Sequence, residues 1–208
     1  TLWIGARNSV TFGRFDTNNP QVLGPKLMPG KFHVIAGRLG AGTGTVKIEL
    51  FADVSCPFTH VGLRRLVDRR AELGRAETLF SIRAWPLELV NQKPLSPAFV
   101  AEEVEQLRRQ VAPDLFTGFD PDRFPSSSLP ALGLAASAAR HGALAGERVG
   151  LALRLALFEE GLDIGDHGVL AAVAANHGVG MPTADDATSV RADWEEGKRR
   201  GVAGSPHY

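Results

Sequence analysis

One cysteine, Cys56, occurs in the 208 residues. A single thiol excludes an internal disulfide and any cysteine-based metal cluster. It suits a reducing cytoplasm better than an oxidising exterior. Net charge is missing too: 23 Lys and Arg balance 23 Asp and Glu. Such a chain carries no overall basic field for nucleic acid or an anionic membrane. No apolar run is long enough to span a bilayer. The N-terminus shows no basic stretch followed by an apolar core, so no signal peptide is expected. The six histidines lie far apart, without a His-Glu-x-x-His pattern, so no metal site is expected. There is no Gly-x-Ser-x-Gly elbow of a serine hydrolase. A chain of this length forms one domain, or one domain with an insertion, and buries enough apolar surface to need no staple. Its Ala, Gly and Arg richness points to a GC-rich bacterium.

What is present converges on the cysteine. Val46 to Ala52 alternates and is rich in Val, Ile, Leu and Phe, which predicts a buried strand. Asp53, Val54 and Ser55 break it. Pro57 then suits the first position of a helix. Val61, Leu63, Leu66, Val67 and Leu73 continue at near-helical spacing. Cys56 therefore falls between a strand and a helix start. The unpaired N–H groups and partial positive charge of a helix N-terminus favour thiolate, the reactive form. Thr59 follows one helical turn later, where its hydroxyl can donate to the sulfur. His60 would add positive potential. Arg64, Arg65, Arg69 and Arg70 form a basic face on the same helix, read as solvated.

The helix is expected to end near Gly74 and a second strand to run from Glu77 to Leu89. Strand, helix, strand predicts a parallel pair with a right-handed crossover. Beyond Pro97 the pattern is helical. Segments are expected over Ala98–Val111, Leu129–His141 (with Gly142 as C-cap), Leu144–Glu160, Asp166–Asn176 (ending at His177-Gly178) and about Thr183–Arg200. The last has Asp185 and Asp186 in its first turn and Lys198, Arg199 and Arg200 in its last, the order the helix dipole favours. Residues 1–45 form an unassigned extension with signs of short strands or hairpins and turns at Asn18-Asn19-Pro20 and Pro29-Gly30. The glycines from Gly37 to Gly44 lead into a strand instead of opening a helix. They therefore read as a linker and not as a phosphate loop.

Asp53-Val-Ser-Cys-Pro-Phe-Thr-His-Val-Gly62 resembles the active-site segment of DsbA-like thioredoxin-fold proteins, in particular the FrnE-like thiol-disulfide oxidoreductases. It is also similar to 2-hydroxychromene-2-carboxylate isomerases and kappa-class glutathione transferases, which carry Ser at the position of Cys56. Trp85-Pro86-Leu87-Glu88-Leu89 and the closing Gly201-Val-Ala-Gly-Ser-Pro206 resemble two further FrnE-like segments. The resemblance spans residues 46–208. It implies an α/β, thioredoxin-like fold with an inserted all-helical subdomain at about 97–182. It implies that the Ser205–Pro206 bond is cis and faces Cys56, so that the Ser205 backbone can pair with an extended peptide or with glutathione.

The site expected from the resemblance has Cys56 as nucleophile, Thr59 as thiolate stabiliser and Pro206 as the orienting proline. Pro57, Phe58, His60, Trp85 and Ser205 would contact substrate, and His207 lies beside them. Core packing is the alternative and favoured use of Phe58 and Trp85, and a place on the helix surface is the alternative for His60. The FrnE pattern places a second, resolving cysteine where this chain has Thr59. Cys56 would then work alone, with no tightly bound cofactor and with glutathione or another low-molecular-weight thiol as co-substrate. Its partner would be a disulfide-containing protein or a small-molecule thiol substrate, in the cytoplasm. Two alternatives stay open: a kappa-like thiol transferase or isomerase, and a peptide- or partner-binding module without turnover. The oligomeric state, a homodimer among the options, is not written in the sequence. A thioredoxin sheet has two more strands after the proline; either they lie beyond Tyr208, the favoured expectation, or residues 1–45 supply them.

Overall fold

The computed structural model describes residues 46–208, and the expectations for residues 1–45 lie outside them. Strand β1 (Val46–Ala52) leads through a tight turn into helix α1 (Pro57–Glu72), which returns the chain to β2 (Thr78–Ala84). The strands pair in parallel, Val46 opposite Thr78 and Ala52 opposite Ala84. This is the expected crossover unit. The α1 helix starts at Pro57 and carries Arg69 and Arg70 in its last turn. Leu73 closes it, and Gly74 turns the chain at φ +61°.

The second strand is shorter than expected. The Trp85 amide still donates to the Ala52 carbonyl at 3.1 Å. Pro86 has no N–H to continue the ladder, and Leu87–Val90 winds into a short helix, α2. Helices α3 (Pro97–Gln110), α4 (Leu129–Ala139), α5 (Ala143–Phe158), α6 (His167–His177) and α7 (Ala184–Arg199) follow. Gly142 does not cap α4, which Arg140 closes. At φ +118° it instead precedes the first residue of α5. Gly178, at φ +64°, does end α6 as a left-handed cap. The α7 start carries a capping box between Thr183 and Asp186.

Strand alternation sets the two faces of the sheet. Leu50, Ala52 and Phe80 pack with Leu63, and Leu66, Val67, Leu151 and Tyr208 lie against that cluster. This face is covered by α1 and α5. Phe51 and Trp85 belong to the larger core on the other side, with residues of α3 to α7. A Cβ on Gly197 of α7 would sit 2.5 Å from the Trp85 ring and 3.2 Å from Phe51, so only glycine lets α7 close on this face. On the α5 side, buried Glu147 takes both terminal nitrogens of Arg70, at 2.8 and 2.5 Å, and the Phe80 amide at 3.1 Å. That carboxylate ties α5, α1 and β2 into one frame. His207 then lies antiparallel to β1, exchanging backbone hydrogen bonds with Phe51 at 2.8 and 2.9 Å. Among the described residues no helix is long and apolar enough to cross a membrane.

Candidate active site

The turn after β1 is built around one carboxylate. Asp53 Oδ1 accepts from the Ser55 amide at 2.9 Å and the Ser55 hydroxyl at 2.8 Å. Its Oδ2 accepts from the Leu87 amide at 2.7 Å and the Ser128 hydroxyl at 3.0 Å. The carboxylate is fully buried, and four donors satisfy it. Its side chain thus locks the turn onto α2 and the start of α4. Its backbone locks the turn elsewhere: the Asp53 carbonyl accepts from the Cys56 amide at 3.4 Å and from Arg154 Nη2 at 3.0 Å.

Cys56 is the N-cap residue of α1, in extended geometry, with Pro57 at the first helical position. The Ser205–Pro206 bond is cis. The Cys56 thiol donates to the Ser205 carbonyl at 3.1 Å, so the peptide before the cis proline does face the cysteine. The Ser205 hydroxyl receives the Asp53 amide at 2.9 Å and shares a proton with the Thr59 hydroxyl at 2.8 Å. With one lone pair of Ser205 Oγ taken by the Asp53 amide, its own proton can go to Thr59 Oγ1, which frees the Thr59 proton for the sulfur. Two segments 146 residues apart thus meet at one sulfur.

The DSBA-like thioredoxin domain family matches residues 47–208. The chain belongs to this family. No curated protein matches it in sequence. Solved structures share its fold. A candidate protein disulfide isomerase from Nitrosomonas europaea superposes with a TM-score of 0.59 at 15% identity, over 77% of this chain and 81% of that one. The cytosolic disulfide reductase DsbM from Pseudomonas aeruginosa does so with a TM-score of 0.56 at 16% identity, over 77% and 82%. DsbM solved with GSH gives 0.55 at 19% identity, over 77% and 84%. The family match does not separate the FrnE-like, isomerase and kappa branches.

Within this DSBA-like domain the thiol rests protonated. Cys56 is 1% exposed. Burial pushes its pKa above the ordinary thiol value. Hydrogen bonds from the Thr59 hydroxyl and amide and from Ser205 pull the other way, and the Asp53 charge adds to the rise. The helix start and Thr59 are where the sequence puts them, and Thr59 acts in the expected direction. Desolvation outweighs them, because a thiolate loses more than a thiol on leaving water.

His60 departs from expectation. Its Nε2 lies 2.7 Å from Glu159 Oε1, and its ring sits against Phe116 and Phe158, with centroids 5.2 and 5.0 Å away. Burial lowers its pKa to about 4, against the opposing pull of Glu159. It is neutral at pH 7 and gives Cys56 no positive potential. Glu159 also takes the Phe116 and Thr117 amides at 2.8 and 2.9 Å, so His60 anchors the loop after α3.

Phe58 and Trp85 are core residues, 2% and 3% exposed, which is the favoured of their two expected uses, and they are not walls of an open groove. Trp85 meets Phe51 edge-on with centroids 6.5 Å apart. Pro57 is buried as the helix start. His207 contributes its backbone to the pairing with β1, and burial lowers its ring pKa.

The sequence reading missed the hub role of Asp53, the Ser205 side chain, Ser128, Glu159 and Arg154. Asp53 had a signal, since Asp followed two residues later by Ser is a self-bonding turn. So did Arg154, the one charge in Leu151-Ala-Leu-Arg-Leu-Ala-Leu157. Ser128 and Glu159 had none, because their partners are 75 and 99 residues away.

Proposed function

We propose that this protein is a thiol-disulfide oxidoreductase that works through Cys56 alone with an external small thiol. The observation that carries the reading is the Cys56 thiol, at the head of α1, bonded to the carbonyl before the cis proline, with Thr59 in place of a second cysteine.

In the first step the Sγ–Ser205 contact opens and the thiol loses its proton to solvent. The thiolate attacks one sulfur of a substrate disulfide. The substrate S–S bond breaks as the Cys56–substrate bond forms, and the departing thiolate takes up a proton. The 208-residue sequence holds no second thiol to attack the mixed disulfide. A small thiolate therefore attacks it, freeing Cys56 and leaving the substrate sulfur bonded to the small thiol. Thr59 donates to the Cys56 sulfur whenever it is ionised. The glutathione bound to DsbM and the cytosolic setting of that protein favour glutathione, or a thiol like it, in a reducing compartment.

The burial of Cys56 favours a second reading, a peptide-binding module that keeps the fold without turnover. The test is glutathione-dependent reduction of a small disulfide such as hydroxyethyl disulfide, followed by mass spectrometry of Cys56. Glutathione first converts that disulfide to a mixed disulfide, which Cys56 attacks at the glutathione sulfur with mercaptoethanol leaving. Turnover and a Cys56–glutathione adduct, both lost in Cys56→Ser, are the expected result. No exchange with native protein, together with peptide binding that survives Cys56→Ser, would replace this reading by the binding module. Tight binding of glutathione without exchange would replace it by the transferase or isomerase.

A further inference from the structure

Helix α5 carries a guanidinium into the apolar core. Arg154 is 0% exposed and lies among Leu153, Ala156, Leu157 and Phe158, all buried. It donates Nη1 to the Gly150 carbonyl at 2.7 Å and Nη2 to the Asp53 carbonyl at 3.0 Å, while Nε has no partner. Among the described residues it forms no ion pair with a carboxylate. A cation pays for leaving water, its opposite charge Asp53 reaches it only through space and not through a direct hydrogen bond, and a neutral donor could serve the same two carbonyls. The buried charge therefore needs a purpose. Its position supplies one. The Asp53 carbonyl that receives Arg154 also receives the Cys56 amide, so the cation stands one peptide group behind the thiol.

Resting on the proposed single-thiol chemistry, we infer that Arg154 is the positioning residue whose buried positive charge holds Cys56 as thiolate when the thiol contact to Ser205 opens. Three ionisable groups share its surroundings. Asp53 comes from the active-site turn, Cys56 from the head of α1 and Tyr208 from the chain end, and each interacts with Arg154 electrostatically. The Asp53 carboxylate disfavours the thiolate. Tyr208 is buried, with its pKa raised to about 12, and stays neutral. His60 is neutral as well. Arg154, with its own pKa lowered by burial only to about 10, remains charged at pH 7. Arg154 on α5 is a fully buried cation that can offset Asp53.

The experiment is the pH profile of Cys56 alkylation by iodoacetamide, which needs no disulfide substrate and so reads Arg154 even if exchange fails. Wild type is compared with Arg154→Lys, which keeps the charge, and Arg154→Met, which keeps the bulk. The Met variant should shift the profile to higher pH and slow alkylation at pH 7 at least about tenfold. The Lys variant should stay within about threefold of wild type. A Met profile superimposed on wild type would overturn the inference, as would Lys and Met profiles shifted alike. If the Met variant does not fold, wild type itself decides. A buried charge is little screened, whereas surface charges are screened strongly once the Debye length falls to about 3 Å at 1 M salt. Alkylation at pH 7 should change less than about twofold between 0.02 and 1 M salt, and a fivefold or larger drop would assign thiolate stabilisation to exposed arginines instead.

Discussion

Replacing Asp53 with Asn should move stability and thiol reactivity in opposite directions. The carboxylate accepts four hydrogen bonds at 2.7 to 3.0 Å. An Asn oxygen can keep two of them, and its NH2 would then face the other two donors. Each bond to a charged acceptor contributes about 1.5–3 kcal/mol, so losing two costs about 3–6 kcal/mol. Removing a buried charge returns part of this, and a net loss of about 2–4 kcal/mol remains. For a chain of this size that lowers Tm by about 5–15 °C. The same substitution deletes the carboxylate that raises the Cys56 pKa. Alkylation of the folded variant at pH 7 should therefore be faster than wild type. Calorimetry gives the first number, and iodoacetamide labelling at 20 °C gives the second, with the unfolded rate measured in denaturant as a control. Slower or unchanged labelling in a folded Asn variant would refute the electrostatic argument, and an unchanged Tm would refute the hub.

Three other expectations follow from the packing and the site. Thr59→Cys places a second thiol where a resolving cysteine would stand; the variant should lose its mixed disulfide without added thiol, seen by mass spectrometry, and persistence of the adduct would count against the single-thiol mechanism. Gly197→Ala should destabilise the protein although alanine favours helix by about 1 kcal/mol. Its Cβ would press 2.5 Å from the Trp85 ring, and overpacking costs about 1–3 kcal/mol; a raised Tm would show that the α7 contact is looser than described. For His60, a folded pKa of about 4 against 6.5 means the unfolded chain binds more protons between those values. Stability should then rise with pH across that window and fall on acidification from about 6.5 to about 4, by up to about 3 kcal/mol. A His60→Asn variant should lose most of this slope in urea titrations from pH 4 to 7, and an unchanged slope would place the titrating group elsewhere.

Much of the scaffold is legible in the sequence because its causes are local. Alternation over residues 46–52, Pro57 at a helix start and the apolar spacing after it define β1, the turn and α1 with almost no reference to the rest of the chain. Gly178 and the charge order of α7 work the same way. The expected second strand runs too long because Pro86 acts by withholding one ladder hydrogen bond, and the apolar residues beyond it continue as a short helix. Gly142 misleads because a glycine between two helices suits the end of one as well as the start of the next.

The sequence by itself determined the chemical inventory: one thiol, no resolving partner, and a cysteine placed at a helix head. Only the tertiary structure decided the state of that thiol. Burial is a property of what packs over a residue, and here it outweighs the helix start and Thr59. Tertiary packing also turned His60 toward Glu159, placed Phe58 and Trp85 in the core, and brought Ser205, Arg154 and Ser128 to the turn at Asp53. Hydrogen bonds and charge interactions act over a few ångströms in space, whatever the separation along the chain, so contacts 75 to 152 residues apart leave no periodic trace for a sequence to display.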